Sequence, residues 1–168
     1  MERRDFIIKK QSPNILLTAF QCSSAELLIK DTKKYITLML PNDRIKDSEK
    51  LISAILNKKL DYVVSFGQRP NIKNKIYIET TAKDREILIN TNFDCGRLKS
   101  LFEQNGIIAK ISHNAGTSFC NQLYLNVLKY IFQNNIDTKM VFIHIPFMKN
   151  ISDFDSFGKR IFDSISDM

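Results

Sequence analysis

Alternating strand and helix patterns over 168 residues predict an α/β protein, a three-layer α/β/α sandwich around a largely parallel twisted sheet. Three observations carry this prediction. Short apolar runs such as Asp61-Tyr62-Val63-Val64-Ser65-Phe66-Gly67 have the composition of strands buried on both faces, as parallel sheets require. Between such runs, apolar residues recur near helical period, as in Ile45, Ile52, Ile55, Leu56 and Leu60. Gly and Pro are sparse, 5 and 4, which argues against extended disorder and leaves one domain over residues 1–168 with a sizeable core.

Asn14-Ile15-Leu16-Leu17-Thr18-Ala19-Phe20, behind Pro13, reads as a first buried strand. Residues 21–34 fit a short helix or a strand, and Lys33-Lys34 marks a turn. Tyr35 to Leu40 is a second strand, stopped by Pro41, which cannot donate to a ladder. An amphipathic helix starts from Asp43, and the strand at Asp61–Gly67 follows it. Gln68 to Asn74 reads as a polar loop at the carboxyl end of that strand, the edge where open α/β sheets bind ligands. Lys75–Thr81 and Arg85–Asn90 read as strands. Asp94 is placed to cap a helix carrying Leu98, Leu101 and Phe102, which Gly106 ends. Ile107–Ile111 is an apolar run. It leads into a helix striped by Cys120, Leu123, Tyr124, Val127, Leu128 and Ile131. Lys139–Phe147 is the last strand and carries His144 near its end, and a helix capped by Ser152 or Asp153 closes the chain.

The charge balance is 25 Lys+Arg against 18 Asp+Glu, net +7. Its lysine pairs, Lys9-Lys10, Lys33-Lys34 and Lys58-Lys59, are dispersed and accompany no nucleic-acid motif, so a solvated basic surface is expected and no nucleic-acid partner. Cys22, Cys95 and Cys120 are widely spaced with no CxxC pair, which points to a reducing compartment and away from disulfides or a structural metal. No apolar run approaches the roughly 18 residues of a membrane span, and Met1-Glu2-Arg3-Arg4 leads into no signal-type apolar region. A cytoplasmic protein with no cofactor and no membrane partner is the expectation.

Chemistry concentrates in Ser112-His113-Asn114-Ala115-Gly116-Thr117-Ser118-Phe119-Cys120-Asn121. Cys120 falls in the first turn of a helix, where unpaired N–H groups and the helix dipole can lower a thiol pKa from about 8.5 by a unit or more. The same N–H groups can hold an oxyanion. Against this stands packing, since free cysteine is among the most buried residue types. A cysteine nucleophile also needs a base and a group to orient it. Of the two histidines, His113 fits a solvated loop and His144 fits either a base or a satisfied core histidine. Glu79, if it faces the core, needs a partner for its charge and completes a Cys120, His144, Glu79 set at one sheet edge.

These residues resemble the pyroglutamyl peptidase I family of cysteine peptidases. The likeness is specific in Ser112–Asn121, similar to the family's nucleophile segment, and in Phe142-Ile143-His144-Ile145-Pro146-Phe147, similar to its histidine segment. It is weaker in Leu16–Phe20, Leu40-Pro41 and Gly67-Gln68. The resemblance implies removal of an amino-terminal pyroglutamyl or similar small acyl group from a peptide with a blocked amino terminus. In it Cys120 is the nucleophile, His144 the general base and acid, and Phe20 and Gln68 lie near the substrate pocket. It also implies self-association, as a tetramer or dimer. The orienting residue stays open: counting from Gln68 selects Glu79, whereas aligning Lys75-Ile76-Tyr77-Ile78 with the family strand selects Asn74. The chain departs from the family after Phe20, where Gln21-Cys22-Ser23-Ser24 replaces a loop that helps enclose the lactam ring. It departs again where Arg69-Pro70-Asn71 replaces a Gly-rich segment, and after Glu79, where the chain is shortened. A catalytically degenerate family member acting as a binding module is the alternative expectation.

Overall fold

The computed structural model describes residues 11–168. The amino-terminal Met1-Glu2-Arg3-Arg4 and the Lys9-Lys10 pair lie outside the described residues. Eight strands and five helices follow in the order β1 (Ile15–Phe20), α1 (Ser24–Ile29), β2 (Ile36–Leu40), α2 (Lys46–Asn57), β3 (Tyr62–Arg69), β4 (Lys75–Glu79), β5 (Thr81–Asp84), β6 (Ile87–Asn90), α3 (Cys95–Gln104), β7 (Ile108–Ser112), α4 (Phe119–Gln133), β8 (Lys139–Pro146) and α5 (Phe154–Ser166). The main sheet runs β2-β1-β3-β8-β4-β7, and β5 with β6 forms a separate antiparallel hairpin. Every neighbour in the main sheet is parallel except β4 with β8, so the sheet is mixed and mainly parallel.

The two-residue repeat of a strand sends alternate side chains to opposite faces. On one face Ile143 and Ile145 of β8 join Leu28 of α1, Leu98 and Phe102 of α3, and Ile161 of α5. On the other, Phe142 packs with Leu51 and Ile55 of α2 and Leu123, Tyr124 and Leu128 of α4. The three-layer sandwich predicted from the sequence is therefore present.

Local chemistry sets the helix ends. The Ser23 hydroxyl accepts from Glu26 N at 3.2 Å, Asp94 from Arg97 N at 2.9 Å, and Asp153 from Ser156 N at 2.9 Å, each satisfying a first-turn amide. The choice between Ser152 and Asp153 thus resolves to Asp153, and the ambiguous 21–34 segment contains helix α1. The loop expected at Gln68–Asn74 starts later, because β3 continues through Arg69 paired with Pro146 at the end of β8. The chain after Glu79 does not stop either. It turns at Thr80 into the β5–β6 hairpin, which Asn121 clamps to α4 by accepting from Lys83 N at 2.9 Å and donating to Lys83 O at 2.8 Å. No helix among the described residues is long and apolar enough to cross a membrane.

Candidate active site

Four strands and one helix bring Phe20, Glu79, Cys120 and His144 of the sequence-predicted residues together. His144 lies opposite Gly67 in the parallel β3–β8 pair and opposite Tyr77 in the antiparallel β8–β4 pair. Glu79 sits opposite Phe142, one diagonal from His144 and on the same face, within reach of a long side chain. His144 Nδ1 lies 2.8 Å from Glu79 Oε1. A carboxylate only accepts, so Nδ1 carries the proton and Nε2 is left as an acceptor. Glu79 is wholly buried, and only the antiparallel insertion of β4 beside β8 allows it to meet the histidine.

Gly67 explains how the thiol reaches the same place. A Cβ built there would lie 2.8 Å from Cys120 Sγ and 2.8 Å from Phe142 Cζ, closer than side chains tolerate. Sulfur and ring therefore occupy the volume that any other residue in β3 would fill. Cys120 is the second residue of α4, whose first-turn N–H groups have no partner within the helix. Burial pushes the Cys120 thiol up from 9.0 to about 12; its own backbone N–H works against this, and the Glu79 charge adds to it. This corrects the expectation of a lowered thiol pKa. The helix start does act on the sulfur, but desolvation among Phe142 and the α4 packing outweighs it.

Phe20 is also at this site. Its ring centroid lies 6.4 Å from that of Phe142 and 6.5 Å from that of Phe119, so three aromatic rings form a wall beside the sulfur. Phe119 is partly exposed and carries the Arg44 guanidinium over its ring at 5.5 Å. The Gln68 side chain does not join them. As the residue after Gly67 in β3 it points to the opposite face, where Oε1 accepts from Ser24 N and Ser24 Oγ, each at 3.0 Å. Asn74 is likewise removed from His144. Its Oδ1 accepts from Ser152 N and its Nδ2 donates to Ser152 Oγ, both at 2.8 Å, so of the two candidates it is Glu79 that hydrogen-bonds His144. His113 is exposed, its Nδ1 lying 2.6 Å from Thr80 Oγ1.

The sequence reading passed over four residues of this region. Phe119 and Asn121 stood inside the cysteine segment, but spacing alone does not show that one faces Phe20 and the other ties down β5. Tyr124, read as part of an apolar stripe, donates through its hydroxyl to Glu79 O at 2.8 Å. Arg69 NH1 lies 3.5 Å from Glu79 Oε1, and nothing in the sequence marks that contact. Among the described residues no cluster of His, Cys, Asp or Glu is arranged to hold a metal ion. A cleft of about 520 Å³ at the far edge of the sheet, lined by Lys58, Leu60, Asp137 and Lys139, contains none of the site residues.

The β1–α1 connection is only the turn at residues 21–23, with Cys22 at φ 57°. Ser23 already caps α1, so no segment between Phe20 and that helix is long enough to close over the aromatic wall.

Comparison with known proteins finds similarity in sequence and in fold. The family model for pyroglutamyl peptidase matches residues 89–158, which hold both the cysteine and the histidine segments. A pyrrolidone-carboxylate peptidase of Brachyspira hyodysenteriae is 28% identical over 139 residues, 70% of this chain and 69% of the relative. One from a Thermoanaerobacter species is 30% identical over 135 residues, 67% of this chain and 66% of the relative. The chain thus spans about two thirds of the length of these curated relatives. In fold it is similar to the crystal structure of pyroglutamyl peptidase I from Bacillus amyloliquefaciens, with a TM-score of 0.79 at 18% identity over 90% of this chain and 94% of the other. Pyrrolidone carboxyl peptidase from Thermococcus litoralis superposes with a TM-score of 0.74 at 18% identity, covering 91% of each chain. In its cysteine and histidine segments, its relatives and its fold, the chain is similar to the pyroglutamyl peptidase family.

Proposed function

We propose that this chain is a cysteine peptidase that removes an amino-terminal pyroglutamyl or similar small acyl group from a peptide. The observation that carries the reading is the buried Glu79–His144 hydrogen bond at 2.8 Å, with Cys120 Sγ packed over the strand partner of that histidine. In this reading Nε2 of His144 takes the Cys120 proton as the sulfur attacks the acyl carbonyl carbon. Burial favours the protonated thiol at rest, so proton transfer to His144 accompanies attack. The first-turn N–H groups of α4 receive the oxyanion. The imidazolium, stabilised by Glu79, returns its proton to the leaving amine, and a water activated by His144 then hydrolyses the thioester. Phe119, exposed and backed by the buried Phe20, offers an aromatic face to the lactam ring.

The short β1–α1 turn favours a second reading, a binding module of the same fold without turnover. An open wall positions substrate poorly, and positioning supplies much of a catalytic rate. Hydrolysis of a pyroglutamyl amide, measured beside Cys120→Ala, separates the two: release that disappears in the variant supports the peptidase, and no release from the native chain supports the binding module. As part of the same proposal we take the protein to be cytoplasmic and self-associating. Sedimentation at micromolar concentration checks the second point.

A further inference from the structure

We infer that Arg69 is a positioning residue that sets the protonation of the Glu79–His144 pair from across β8. Its effect on catalysis rests on the peptidase reading; its effect on protonation does not. Gly67 and Arg69 are two apart in β3 and so share the face on which His144, Tyr77 and Glu79 lie. From β3 the Arg69 side chain crosses the strand that carries His144. Its guanidinium lies over the Tyr77 ring at 4.8 Å and ends 3.5 Å from Glu79 Oε1.

Glu79 needs such a partner. Its side chain is wholly buried, Oε1 takes both the imidazole and the guanidinium, and Oε2 has no hydrogen-bond partner among the described residues. A buried carboxylate so thinly bonded favours proton uptake unless a nearby positive charge opposes it. The groups facing it are His144 on β8, Arg69 on β3, Cys120 and Tyr124 on α4, Lys110 on β7 and Lys75 on β4 itself. Of the described residues, only His144 and Arg69 form ion pairs with it. If Glu79 becomes protonated it can donate to Nδ1, which moves the imidazole proton to Nε2 and removes the acceptor for the thiol proton. If His144 takes the extra proton instead, the same acceptor is lost. Arg69 opposes both events, so loss of its charge moves proton uptake by the pair to higher pH whichever member receives it.

The test is an NMR titration of the His144 imidazole in the full chain, with His113→Asn as background to leave one histidine. Arg69→Gln is expected to move the titration midpoint upward by about one pH unit or more, as removing an opposing charge at this distance does. Arg69→Lys, which keeps the charge, is expected to restore at least half of that shift. Should Arg69→Gln not fold, Arg69→Met, which retains an aliphatic stem over Tyr77, carries the same expectation. A midpoint that is unchanged or lower without the charge overturns the inference, as does an Arg69→Lys midpoint equal to that of Arg69→Gln. Peptidase assays on the same proteins keep the two readings apart. A shifted titration in a chain without activity sinks only the peptidase, and normal activity with an unshifted titration sinks only the role of Arg69.

Discussion

At the scale of single residues, Cys120 shows how two correct physical effects are weighed. A helix start lowers a thiol pKa and burial raises it, and here burial wins, holding the group near 12. Reactivity toward a thiol reagent near neutral pH should therefore rank the exposed Cys22 first, with Cys120 and the buried Cys95 slower. Mass spectrometry of partially alkylated protein measures this directly, and Cys120 labelled ahead of Cys22 would refute the ordering. The same shift has a stability consequence. The native chain keeps a proton that the unfolded chain releases above about pH 9, so stability falls as pH rises toward 12. Cys120→Ala should show a shallower decline between pH 8 and 11, read from urea midpoints. At Gly67 there is no space at all: Gly67→Ala should displace the sulfur or the Phe142 ring, cost about 1–3 kcal/mol in overpacking, and abolish activity.

Elements decide which of these residues meet. The helix and strand periods, the Asp94 cap, a last-helix cap at Ser152 or Asp153 and the position of Cys120 in the first turn of α4 were all legible in the sequence, because each depends on neighbours within a few positions. Asp153→Ala should accordingly destabilise the chain by about 1 kcal/mol in thermal or urea melts, leaving Ser156 N without its acceptor. What spacing could not convey is strand order and direction. Glu79 reaches His144 because β4 runs antiparallel to β8, and the choice between Glu79 and Asn74 turns on that pairing, 65 residues apart in sequence. Gln68 was misjudged for a related reason. Had β3 ended at Gly67, its side chain would have been free to turn toward the site, but β3 continues, so the strand alternation sends it to the Ser24 face.

In the proposed peptidase the whole molecule couples the layer that holds Cys120, His144 and Glu79 to a substrate edge open at Phe119. Tyr124, Asn121 and the β5–β6 hairpin fix α4 against β4, while the short turn at residues 21–23 adds no cover from β1–α1 over the exposed Phe119 ring, behind which Phe20 is buried. A lactam gains about 25 cal/mol per Å² only over the apolar area that is removed from water, so a half-covered ring is held weakly. The expected consequence is a raised KM for pyroglutamyl substrates and acceptance of other small amino-terminal acyl groups. Efficiency within a few decades of the diffusional ceiling of about 10⁸ M⁻¹s⁻¹ would contradict the open edge. The central claim, that Cys120, His144 and Glu79 act as one unit, is tested most directly by steady-state hydrolysis of a pyroglutamyl amide with the native chain, Cys120→Ala and Glu79→Gln. The expected result is weak but measurable turnover that vanishes with Cys120→Ala and falls mainly in kcat with Glu79→Gln; the same rate in native chain and Cys120→Ala, or an unchanged kcat in Glu79→Gln, would contradict it.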